Sequence, residues 1–296
     1  MAVGLLMLAV SVPSLVGIFL DPRVITGAPA WLKPFKFGIS TAIYSLTLAW
    51  VFTWLGGWPR MRKVVGWTTA VVFVLEVGII DVQAARGTTS HFNNATPLDR
   101  TLFIIMGTAI MLQTLASVAV AVALWREHFG DRALGWALRL GMTLTIVGAL
   151  TGALMTRPTS AQLEAARSGQ GMTVIGAHTV GGVDGGPGMP VTHWSSEHGD
   201  VRVPHFIGLH ALQALALVAV ALRRWRRTSE KDRVRAVLAV SASYASLFVL
   251  QLWEALRGRS VVAPDALSIA SITLWAVLSA IAFGWIASNA SRRMIA

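Results

Sequence analysis

The sequence predicts an all-helical, polytopic membrane protein, and three observations carry that prediction. Hydrophobic residues make up 54% of the 296-residue chain and charged residues 13%, where soluble domains carry about 25% charged, and the mean hydropathy is +0.62. Eight apolar stretches, 3–20, 37–56, 65–86, 102–124, 134–156, 205–222, 234–256 and 266–288, come near the roughly 20 residues needed to cross about 30 Å of hydrocarbon. They must be helices, because lipid satisfies no backbone hydrogen bond.

The third observation is how the charges divide between alternate turns. Arg60, Arg62, Lys63, Arg126, Arg132, Arg139, Arg223, Arg224, Arg226, Arg227, Lys231, Arg233, Arg235, Arg292 and Arg293 share one side with only Glu127, Asp131, Glu230 and Asp232. The basic excess makes that side cytoplasmic, with both termini inside and the chain in the plasma membrane. Trp54, Trp58, Trp67, Trp125, Trp136, Trp225 and Trp285 fall near the same boundary, as an interfacial aromatic belt requires. The run Arg223-Arg-Trp-Arg-Arg227 therefore reads as a flank that stops translocation, and membrane lipid rather than nucleic acid is the expected partner. Without cysteine the chain has neither disulfides nor thiolate metal sites.

The first span ends in Asp21-Pro22-Arg23 without a small-residue cleavage site and reads as a retained helix. Pro29 and Pro34 precede the second span and place Lys36 in its first turn, where it reaches for headgroups or an anionic ligand. The third span is the most polar. Glu76 and Gln83 are seven residues apart, hence on one face with Ile80 between them, and Arg86 stands at the outer end. Asp81 lies off that face by about 140°. An ionisable group at mid-span is expensive unless it is paired, protonated or wetted, which makes Glu76 a functional candidate, and a charge network joining it to Arg86 or Arg257 is expected. In the following turn Thr96-Pro97 starts the fourth span, and Asp99 suits its positive N-terminus.

The seventh span ends in Glu254-Ala-Leu-Arg257-Gly258, and the third ends in Gln83-Ala-Ala-Arg86-Gly87. Each is followed by an external turn with proline and aspartate, Pro97 with Asp99 and Pro264 with Asp265, as two parallel four-helix halves would have.

Between the fifth and sixth spans lies a long external loop, 157–204. Thr159 or Ser160 caps a short amphipathic helix, 161–167, that stops at Gly169. The loop then becomes rich in glycine and histidine, and five of the seven histidines fall between His178 and His210. The glycine run 181–188 is not a phosphate loop, since it lacks the GxxxxGK[ST] pattern.

Two His-x4-His pairs, His193 with His198 and His205 with His210, are the strongest chemical signal. Five-residue spacing puts two side chains about 140° apart on a helix, which does not suit one metal, so a metal site is expected to be assembled across helices. The spacing resembles the first histidine box of the membrane fatty-acid desaturases, whose later His-x-x-His-His boxes this chain does not contain. His91, His193, His198, His205 and His210 are the candidate metal ligands, with carboxylates from Glu197, Asp200, Asp99 or Glu76 to complete or orient the shell.

Haem is the sharper form of this expectation. It would be held by His210 with His91 or His205, and Gln213 would fix the His210 tautomer from three residues away. Pro204 as the first residue of the sixth span places His210 roughly 9 Å below its start. The external ends of the third, fourth, sixth and seventh spans then form an outward-facing pocket with Glu76, Arg86, Glu254 and Arg257 as catalytic candidates. The leading expectation is a metal- or haem-dependent redox enzyme acting on a lipophilic or small extracytoplasmic substrate. The alternatives are a transporter or channel whose path is lined by Glu76, Gln83, Glu254 and the arginines, and a non-catalytic subunit or sensor.

Overall fold

The computed structural model describes residues 1–224 and 228–295, with side chains in the last helix as far as residue 288. In chain order it has α1 (Ala2–Leu20), β1 (Val24–Ile25), β2 (Ala28–Pro29), α2 (Leu32–Val51) running into a 3-10 turn (Phe52–Trp54), α3 (Pro59–Ala85), α4 (Pro97–Arg126) and α5 (Arg132–Met155). There follow α6 (Ser160–Arg167), β3 (Thr179–Val180), β4 (Gly199–Asp200), α7 (Arg202–Leu209), α8 (Ala211–Arg223), α9 (Glu230–Leu256) and α10 (Ala266–Ile295). Among the described residues seven helices are long and apolar enough to cross a membrane, and α7 with α8 would make an eighth span, bent by 44°. Trp225, Arg226, Arg227 and the side chains of Arg292 and Arg293 lie outside the described residues.

The apolar stretches mark the helices but not their ends, since helices extend past the hydrocarbon into the interface. Pro59 opens α3 at its first position, six residues before the apolar run begins, where a missing N–H costs nothing. α2 likewise starts at Leu32, so Lys36 stands in its second turn rather than its first. Lys36 does not reach for headgroups alone, because its Nζ donates to the Thr192 carbonyl at 2.8 Å. The short helix of the long loop forms as expected. Thr159 and Gln162 make a reciprocal capping box, and Gly169 follows the helix with φ +85°.

The chain folds as two compact units. The first comprises residues 1–119, 153–178 and 182–193, and the second 120–152, 179–181 and 194–296. In the first, α1 buries Gly4, Met7, Ser11 and Ser14 at three- and four-residue spacing against α2. The fit is close: a Cβ on Gly38 would come within 2.3 Å of Ser11 Oγ. Small residues of this kind let membrane helices touch backbone to backbone. Two apolar layers cross the unit, one of Met7, Ala42 and Val77 and one of Val72, Phe73 and Ala109.

In the second unit α5 presents Gly141, Thr145 and Gly148 on one face to the bent pair α7 and α8. A Cβ on Gly148 would lie 2.5 Å from the Gly208 backbone, and one on Gly141 would lie 2.8 Å from Leu212 Cα. α9 also packs on the pair, and its Tyr244 hydroxyl donates to the Ile207 carbonyl at 2.6 Å. α10 lies along α9, and its apolar window is only 6% buried, so in a bilayer its outer face is left to lipid.

Candidate functional site

The same turn follows α3 in the first unit and α9 in the second. In the first, Thr88 N–H reaches back to the Gln83 carbonyl and Gly87 N–H to that of Ala84, and in the second Arg259 and Gly258 bond to Glu254 and Ala255 in the same way, all at 3.0 Å. This is the Schellman ending, which needs a left-handed residue, and Gly87 and Gly258 supply it with φ +73° and +75°. The preceding arginine then turns onto the N-terminus of the next helix. Arg86 Nη1 lies 2.7 Å from Asp99 Oδ1, and Arg257 Nη2 lies 2.7 Å from Asp265 Oδ2.

The remaining polar atoms close each knot. Gln83 donates to Asp99 at 2.9 Å and accepts from Arg86, while Thr96 caps α4 with Asp99. Glu254 accepts from the Ser268 hydroxyl, and Ser268 in turn donates its N–H to Asp265 at 2.8 Å. The bonds from Ser268 and the Arg257 guanidinium hold the Asp265 carboxyl well below the usual carboxylate range. Arg86, Glu254 and Arg257, the expected catalytic charges, are thus placed as helix-end staples. A second motif also recurs. Arg23 grips Asp21 through its Nε and Nη2, and Arg202 grips Asp200 in the same way, each with its own N–H bonded to the same carboxylate.

Glu76 stands apart from these staples. It is 2% exposed, and neither carboxylate oxygen has a hydrogen-bond partner. Within the first unit the expected bond to Arg86 is not formed, because that arginine turns to the helix N-terminus that carries Asp99. Arg257 turns to the one that carries Asp265. The face read from the sequence is there: Ile80 and Gln83 are buried above Glu76, and Thr69, one heptad below, is buried as well. Thr69 was missed by sequence reasoning although its seven-residue spacing from Glu76 was in view. Asp81 is off the face, with one carboxylate oxygen buried and unpartnered.

The histidines distribute between the units. In the first, the His91 ring packs edge-on to Phe37 at 5.5 Å and bonds Ser90 Oγ through Nδ1 at 3.0 Å. His178, which was not among the ligand candidates, pairs with Asp184 at 2.8 Å under the ring of Phe92. His193 sits at the left-handed φ of +51°. In the second, the His198 N–H donates to Ser195 Oγ. His205 Nδ1 lies 2.7 Å from the Gly148 carbonyl, which can only accept, so the proton is on Nδ1.

His210 differs most from its expected place. α7 begins at Arg202 and ends at Leu209, so His210 is the joint of the bent pair rather than a residue two turns into a straight span. It stands before the first residue of α8 with backbone φ −94°, ψ 6°, and the bond to Gln213 is not made. His210 Nε2 and both Gln213 amide atoms are buried without partners. Among the described residues no three histidine, aspartate or glutamate side chains are close enough together to hold a metal ion. No protein family model, curated protein or solved structure matches the chain.

Proposed function

We propose that the protein is a multi-pass plasma-membrane carrier of the duplicated, broken-helix kind in which Glu76 binds and releases a proton. The observation that carries this reading is the unpartnered, 2% exposed Glu76 carboxylate in the middle of α3. Lys33 in the first turn of α2 is a charge that acts on it, without a hydrogen bond. An ionisable group at that depth is expensive, and groups kept there despite the cost mark proton and ion paths. Such carriers are built from two repeats with an interrupted helix. The two recurring motifs and the 44° break at His210 fit that pattern, with eight spans, α7 and α8 counted as one, and both termini cytoplasmic. Counting back from the shared turns, Glu76 and Thr69 correspond to Leu247 and Val240, so the carboxylate belongs to one repeat alone.

Dicyclohexylcarbodiimide, an apolar reagent for protonated carboxyl groups, tests the reading on the protein in liposomes. The expected result is an adduct on the peptide containing Glu76, formed more slowly as pH rises and absent from Glu76→Gln. An unmodified Glu76 at every pH overturns it.

A second reading keeps the metal- or haem-dependent enzyme, and it rests on His210, whose Nε2 is buried without a partner. That nitrogen would take a transition metal or haem iron, with a lipophilic or small substrate on the extracytoplasmic side. An absorption spectrum and metal analysis of the purified protein decide it, and a protein with neither bound metal nor a Soret band removes it.

A further inference from the structure

Glu76 is not the only buried polar group in the first unit without a partner. Thr69 Oγ1 on α3 and Gln113 Oε1 on α4 are also unbonded, in side chains 2% and 7% exposed. α3 and α4 are pinned together at two levels. Arg86 meets Asp99 at one, and Val72 and Phe73 pack with Ala109 at the other. The paired numbers fall on one helix as they rise on the other, so the helices are antiparallel. One further turn from the second level brings Thr69 and Gln113 to one level along the antiparallel pair. Tyr44 joins them from α2: its hydroxyl lies 2.8 Å from Ser117 Oγ and accepts from Gln113 Nε2 at 3.4 Å.

The first unit thus carries three polar levels along α3. Gln83 with Asp99 is the outermost, Glu76 the middle and Thr69 with Gln113 and Tyr44 the innermost. Between the last two lies an apolar layer of Val72 and Phe73, with Phe73 edge-on to Tyr44 at 5.5 Å. Glu76 and Thr69 are roughly 10 Å apart along the helix, too far for a direct hydrogen bond. Two buried oxygens at one level, neither of them hydrogen-bonded, suit a guest that bridges them, and water or hydronium can donate to both.

We propose that Thr69 and Gln113 form a second proton station, separated from Glu76 by the Val72–Phe73 layer, through which the Glu76 proton exchanges with the Trp58 end of the bundle. The proposal rests on the reading of Glu76 as a proton-exchanging group. In the step, the Glu76 carboxylic acid gives its proton to water and becomes a carboxylate. The resulting hydronium is held by Gln113 Oε1 and Thr69 Oγ1, and the return step reverses both changes. Phe73 acts as the barrier that water must pass.

The test is the hydrogen–deuterium exchange rate of the Glu76 carboxyl in liposomes, followed through its infrared carbonyl band and identified by the band's absence in Glu76→Gln. Thr69→Val and Gln113→Leu are each expected to slow exchange by about tenfold, the effect of one ordinary hydrogen bond removed from a barrier. Thr69→Ser keeps the wild-type rate, and Phe73→Ala raises it. Opposite signs at neighbouring levels are not what a loss of folding produces, and unfolding temperatures of all variants check the fold. A wild-type rate in both Thr69→Val and Gln113→Leu overturns the station and leaves Glu76 standing, whereas a wild-type protein with no Glu76 band overturns both.

Discussion

Thr145 Oγ1 accepts a hydrogen bond at 3.2 Å from the Leu212 N–H, one of the unpaired donors at the start of α8, and lies 3.4 Å from the Leu209 carbonyl at the end of α7. One hydroxyl on α5 therefore bridges both sides of the break at His210. Thr145→Val should cost about 1–3 kcal/mol, since it strands a buried N–H. Thr145→Ser should cost much less. Unfolding in detergent read by circular dichroism checks both, and equal midpoints for valine and wild type would show that the bend holds without the bridge.

Gly148 gives a stronger effect in the same place. Its added Cβ would meet Gly208 backbone, which cannot rotate away as a side chain can. Gly148→Ala should lower the unfolding temperature more than Thr145→Val does, although alanine is the better helix former by about 1 kcal/mol. An unchanged or raised temperature would mean that α5 and α7 stand farther apart in the membrane.

Asp265 makes a pH prediction. Its folded-state pKa is depressed, so the stability it contributes is fully present above the ordinary carboxylate range and is lost as pH falls through the lowered folded value. Acidification below about pH 4 should destabilise the wild type, and Asp265→Asn should lose that part of the slope. Parallel acid curves for the two proteins would contradict the assignment.

Glu76 and Arg86 should now separate in sign. Arg86→Ala leaves Asp99, 3% exposed, with one fewer charged partner and should lower the unfolding temperature. Glu76→Leu removes a buried polar group that bonds to nothing and should leave the temperature unchanged or raise it. A large loss in Glu76→Leu would show that Glu76 is bonded in the membrane after all.

Topology is checked by reporters active only in the cytoplasm. A fusion after Phe129 should be active and one at Gly185 silent, and the reverse pattern would exchange the two ends of every path described above.

Helices in this chain were readable because bilayer thickness and hydropathy act on whole segments, and so was the turn shared by Gln83-Ala-Ala-Arg86-Gly87 and Glu254-Ala-Leu-Arg257-Gly258. What each arginine does was not readable. Arg86 and Arg257 look like site charges in one dimension, and only the fold brings helix N-termini with Asp99 and Asp265 within their reach. Glu76 was legible as an expense, because depth alone sets its cost. Its lack of a hydrogen bond was not, since that depends on which neighbours turn away. The histidine spacing misled most at His210, where a break in the helix overrode the three-residue rule that would have joined it to Gln213. Thr69 and Gln113 carry no signal by themselves and gain meaning only from being buried without hydrogen-bond partners.

The repeated turn also equips the molecule with an internal control. Gln83 stands where its counterpart is Glu254, so the neutral and charged versions of one knot are present in a single chain. Exchanging them, Gln83→Glu in one unit and Glu254→Gln in the other, keeps the composition and total charge of the protein fixed. Any change in behaviour then reports which unit needs its charge at that position.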